Sequence, residues 1–106
     1  MASGILGRQD LSAAADTTLY TVPADTFAVV TVSMVNRGAT SCNVRIAVSN
    51  TGTPAAADYL EYDAEILPNG VLERTGIVLD ATKNIVVRSS AISVSAVATG
   101  IETATA

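Results

Sequence analysis

A chain of 106 residues makes one domain with a single two-layer core, and a net charge of −4 with six scattered basic residues argues against a nucleic-acid binder, whose affinity comes from cations neutralising phosphates. Apolar residues make up 49% and charged residues 15%, with one Phe, three Tyr and no Trp, so the core must be Val, Ile, Leu and Ala. So neutral a surface is expected to be covered in part by other chains.

Cys42 is the one cysteine, which excludes an intrachain disulfide and a cysteine metal cluster and points to burial as a small hydrophobe. The start lacks the pattern of a signal peptide, and no run approaches the ~18 apolar residues of a membrane helix. The expectation is a protein made in a reducing cytoplasm, with no membrane partner.

In chain order, residues 1–15 are weakly patterned and read as an extended N-terminal arm reaching to a neighbour, with Arg8, Asp10 and Leu11 as candidate contacts. Thr17–Val22 is rich in β-formers and ends at Pro23, where a turn begins. Phe27–Asn36 is the strongest strand, with Ala28, Val30, Val32 and Met34 on the core face and Phe27, Val29, Thr31, Ser33 and Val35 on a half-covered one. Asn36-Arg37-Gly38 turns the chain. Asn43–Ser49 then alternates, with Val44, Ile46 and Val48 inward.

Residues 54–66 admit two readings. As a helix they have Thr53 at the cap and Pro54 at the first position. As a strand they alternate over eight residues, and a short turn near Ala55–Ala57 followed by a strand is favoured. Pro68-Asn69-Gly70 then reads as the turn of a central hairpin, returning along Val71–Leu79 with Gly76 as a candidate bulge. Ile85–Ser90 is apolar on both sides at its start and should be central. Ile92–Ile101 is the last strand, with Ile92, Val94, Ala96 and Ala98 on one face, and residues 102–106 form a tail. About seven strands at this spacing make the expected fold all-β, an antiparallel β-sandwich of jelly-roll or Ig-like kind over residues 16–101.

The chain has no His, no Gly-x-Ser-x-Gly elbow and no phosphate-binding glycine pattern, so no catalytic residue and no cofactor are assigned. The sharpest polar group is Glu61, Asp63 and Glu65, with Asp58 just before. On a strand they line one face about 7 Å apart. They read as a solvated or partner-contact face with ion pairs to Arg45, Arg74 or Arg88 in preference to a Ca²⁺ site, whose ligands a loop usually fixes. Tyr59 and Tyr62 have opposite parity, so one sugar-stacking platform built from both is not expected; Tyr59 joins the candidate contact surface.

As a whole the chain resembles a group of small structural proteins of tailed-phage virions. The residues that carry the resemblance are Thr17-Thr18-Leu19-Tyr20-Thr21-Val22-Pro23-Ala24, Asn36-Arg37-Gly38, Val44–Val48, Tyr59–Asp63 and Leu67–Gly76, spread over nearly the whole chain. The resemblance implies a head decoration (cement) protein bound to the major capsid protein, or a tail or tail-fibre accessory with a receptor- or glycan-binding role. It also implies symmetric copies, trimers first.

Overall fold

A computed structural model describes residues 3–105. They form β1 (Ser3–Leu11), β2 (Thr17–Thr21), β3 (Thr26–Asn36), β4 (Cys42–Ser49), a 3-10 turn (Ala56–Asp58), β5 (Tyr59–Ile66), β6 (Val71–Leu79), β7 (Asn84–Ser89) and β8 (Val94–Ala104). Two antiparallel sheets result, a first with order β1-β8-β3-β6 and a second with order β2-β7-β4-β5. Every connection except β4–β5 passes from one sheet to the other. That winding is the eight-stranded jelly roll, two Greek keys closed on one core.

The core follows from two-residue alternation. On β3, Ala28, Val30, Val32 and Met34 are buried while Phe27, Val29, Thr31, Ser33 and Val35 are half-buried, as the pattern predicts. Val44, Ile46, Ile85, Val87, Val94, Ala96 and Ala98 meet them from β4, β7 and β8, and Cys42 is buried among them. β7 lies between β2 and β4, and even its outward Val86 is buried. Residues 54–66 resolve into the short turn followed by a strand.

Four expectations are corrected. The N-terminal segment is no arm: β1 pairs with β8 from Ser3↔Ile101 to Leu11↔Val94, because Leu6 and Leu11 reach the core and β8 offers an open edge. Its glycines hide this from propensity, yet Gly7 fits the place, since a Cβ there would stand 2.1 Å from the Leu19 carbonyl oxygen. At the other end, Glu102–Ala104 belong to β8, not to a tail. Ile92 faces solvent in the β7–β8 turn, where Ser93 takes φ 68°, and the last strand begins only at Val94.

The fourth correction concerns the central hairpin. β5 and β6 lie in different sheets, so Leu67–Gly70 is a corner. Gly70 N–H donates to the Leu67 carbonyl at 2.8 Å, and Asn69 takes φ 62°. That bond makes Pro68 and Asn69 the central residues, and Pro68 holds a negative φ, so this is not the type I′ hairpin turn that an Asn69-Gly70 centre would make. With only Asn69 left-handed, the turn splays its strands instead of pairing them.

The central pairs β3·β8 and β4·β7 run in unbroken register, whereas each of the four edge strands, β1, β2, β5 and β6, carries a bulge. The bulge on β6 places Thr75 and Gly76 against Thr31, with Gly76 at φ 70°. Bulged edges resist pairing with another chain's strand.

Candidate functional site

Two surfaces stand out, one on the outer face of each sheet. On the second sheet, β5 departs twice from regular pairing. Val44 opposes Ala64 and Ile46 opposes Glu61, so Arg45 alone faces both Tyr62 and Asp63, with Asp63 at φ 52°. Leu60 is a second extra residue, between Glu61 and Tyr59. An inserted residue reverses parity, so Tyr59 and Tyr62 share a face. Their rings meet edge to face, 4.9 Å between centroids, and the Arg45 guanidinium lies 4.1 Å from the Tyr62 centroid.

Arg45 also grips Asp63, Nε to Oδ1 at 2.7 Å and Nη2 to Oδ2 at 3.3 Å. That hydrogen-bonded pairing holds the Asp63 carboxyl below its usual range and raises Arg45. Beside this group is a polar cleft of about 270 Å³ lined by Ala14, Asn43, Arg45, Asp63, Arg88 and Ser90. Arg88 lines the cleft and lies 3.7 Å from Asp16, beyond hydrogen-bond range. The sheet pairing Arg45↔Arg88 sets these two cations side by side.

On the first sheet, register gives the outer face as rows across the four strands. Asp10, Ser95, Val35 and Val71 make one row, and Arg8, Val97, Ser33 and Glu73 the next. Ile5, Thr99 and Thr31 follow, then Ser3, Ile101, Val29 and Val78, and finally Thr103 with Phe27. Ile5, Val71, Val78 and Ile101 are all more than half exposed, so the face is apolar over most of its length. Its charges sit at one end.

The residues expected to form one contact surface are divided by this fold. Arg8 and Asp10 face outward on the first sheet, Asp10 bonded to Arg37 at 2.5 Å. Leu11 is core, 3% exposed, so its side chain is turned away from the surface. Tyr59, Asp63 and Glu65 face outward on the second sheet, at its β5 edge. Glu61 instead points between the sheets and bonds Arg74 across the open edge at 2.9 Å. Asp58 accepts from the Ala55 N–H at 2.8 Å and caps the 3-10 turn. The four acids are thus held apart, and among the described residues no group of three or more His, Cys, Asp or Glu could hold a metal.

The expectation that Tyr59 and Tyr62 stay on opposite faces is overturned by the Leu60 bulge. Sequence reasoning missed Asn43 and Ser90 as neighbours of Asp63, whereas Arg88 was among the cations expected beside this acidic face. The signal within reach was Asp at position 63, a residue that tolerates left-handed backbone more readily than most. Among the described residues no helix is long and apolar enough to cross a membrane. No family model, curated protein or solved structure matches the chain.

Proposed function

We propose that the chain is a structural protein of a tailed-phage virion, a head decoration or cement protein that binds the major capsid protein and stabilises the shell. It would be made in the host cytoplasm and work in symmetric copies. The observation that carries this reading is the apolar outer face of the first sheet on a domain with 15% charged residues. Such a face favours cover by protein over contact with water. Jelly rolls serve capsid and lectin domains alike, so the fold fits the setting without choosing the task. The residues of the resemblance include the corners of this fold, Pro23-Ala24, Asn36–Gly38 and Leu67–Gly70.

The test is cryo-electron microscopy of virions made with and without the chain, beside their thermal rupture. Density for the domain at symmetric shell positions, with earlier rupture in its absence, is expected. Density confined to the tail would sink the head assignment.

A second reading, a receptor- or glycan-binding module of a tail or tail fibre, is favoured by one observation. Tyr59, Tyr62 and Arg45 form an aromatic group beside a cleft with both donors and acceptors. Binding of host-envelope oligosaccharides that Tyr62→Ala abolishes would support it. A flat glycan array alongside shell binding would dismiss it.

A further inference from the structure

The apolar outer face of the first sheet carries an unusual charge pattern. Of the six basic residues, Arg8 alone has no carboxylate partner among the described residues. It stands on the edge strand β1. Glu73 stands on the opposite edge strand β6 in the same row, its Oε2 accepting from the Ser33 hydroxyl at 3.1 Å and in no ion pair with a described residue. Three strand spacings, about 14 Å, separate the two positions, too far for them to pair within one molecule.

We infer that this face is the interface of a two-fold dimer, with a second copy of the chain packed sheet against sheet and the two-fold axis parallel to the strands. Such an axis keeps each row at its own level and exchanges the two edges. β1 of one copy then covers β6 of the other, so Arg8 meets the partner's Glu73, and Glu73 meets the partner's Arg8. Two levels further along, Ile101 covers the partner's Val29 and Val29 the partner's Ile101. The same operation therefore satisfies both charges twice and joins the apolar rows.

An axis across the strands leaves Arg8 over β1 again and pairs nothing. Charge complementarity thus picks one orientation of an isologous contact, in which each patch is its own partner. The area agrees. Four strands about 4.8 Å apart and about 30 Å long present about 600 Å² in projection. Two copies then bury about 1,200 Å², the lower end of the standard range for specific interfaces.

This inference shares its face with the proposed function and names the occupant as a second copy, in two-fold rather than trimeric order. The test is sedimentation velocity of the purified chain from about 1 to 500 µM, with circular dichroism to verify folding. A monomer–dimer equilibrium is expected. Arg8→Glu and Glu73→Arg should each weaken it at least tenfold by placing like charges together, and the double variant R8E/E73R should restore it to within about threefold. Ile101→Lys, on an inner strand of the face, should abolish it.

A monomer throughout the range, a trimer, or a double variant no better than its parents would overturn the dimer. Shell binding by monomeric R8E separates this from the proposed function: retained binding with a lost dimer leaves the virion reading standing. A dimer obeying the charge swap but binding no shell leaves the dimer standing alone.

Discussion

Asn36 holds two corners of the jelly roll through one side chain. It is 1% exposed; its Nδ2 donates to the carbonyls of Thr40 at 2.8 Å and Ile66 at 3.1 Å, and its Oδ1 accepts from the Gly38 N–H at 2.9 Å. Its backbone bonds both ways with the next corner, Asn36 N–H to Gly70 and Asn69 N–H to Asn36. Asn36→Ala strands the buried Ile66 carbonyl and frees two part-buried backbone groups, and should cost about 2–4 kcal/mol. Thermal unfolding should show the midpoint falling by about 10 °C or more; a drop of a degree or two would mean that water replaces the amide. Tyr20 makes a different tie, its hydroxyl donating to Glu102 Oε2 at 2.5 Å from one sheet to the other. Burial, and then the bond to the Glu102 carboxylate, push the phenol above its ordinary value of 10.0. The sign follows: below about pH 10 both states keep the proton and the full contribution is present. Above that only the unfolded chain releases it, so stability falls as pH rises. Urea midpoints from pH 8 to 11 should decline for the natural chain and decline less for Tyr20→Phe; parallel curves would show that Tyr20 is not the group responsible.

At the scale of elements, regular strands carry the core and irregular ones carry the surfaces. Gly7 and Gly76 separate two kinds of irregularity. A Cβ on Gly76 meets nothing within 4 Å, so Gly76→Ala suffers only the strain of φ 70°, about 1–2 kcal/mol. A Cβ on Gly7 meets the Leu19 carbonyl at 2.1 Å, so Gly7→Ala must push β1 away from β2 and should cost more, about 2–4 kcal/mol. Denaturant midpoints should rank natural chain, G76A, G7A; the reverse order would mean that the edge between the sheets is loose. The same contrast decides what could be read from sequence. β3 was legible because it buries every second residue against the core; β4 follows the same pattern through Val44 and Ile46, but its outward Ala47 is buried and its inward Val48 is only half-buried. β1 was not, because Gly4, Gly7 and a bulge at Leu6 break its alternation. The hairpin misreading came from centring the turn on Asn69-Gly70, whereas the chain centres it on Pro68-Asn69 and turns a corner that leaves β5 and β6 in different sheets. The tyrosine platform was hidden because the Leu60 bulge shifts parity by one, and pairing with β4 produces that shift. Asp63 and Arg45 were legible as charges of opposite sign, but not as one residue set against two.

For the whole molecule, the edges matter more than the centre. β8 pairs with β3 over eleven residues without a shift, so it has the form of a long, regular strand. Its other side is closed by β1, and it is β1 that carries the bulge and becomes the sheet's true edge. Residues Ser3–Leu11 therefore do two things: Leu6 and Leu11 complete the core, and the bulged strand shields β8 from other chains. A chain beginning at Ser12 removes both. Losing Leu11 alone is comparable to a buried Leu→Ala change, about 2–5 kcal/mol, and the bared β8 then offers unpaired N–H and C=O groups along most of its length. Such a chain is expected to unfold at a much lower temperature than the natural one and to associate through that edge into species larger than dimers, read by light scattering and by a rise in amyloid-dye fluorescence. A shortened chain that stays as stable and as small as the natural one would show that β1 is dispensable, and would return these residues to the role of an arm. The bulge can be tested apart from the strand. Deleting Leu6 alone would bring β1 into regular register with β8, straightening the edge; it should increase association through that edge while leaving most of β1 paired.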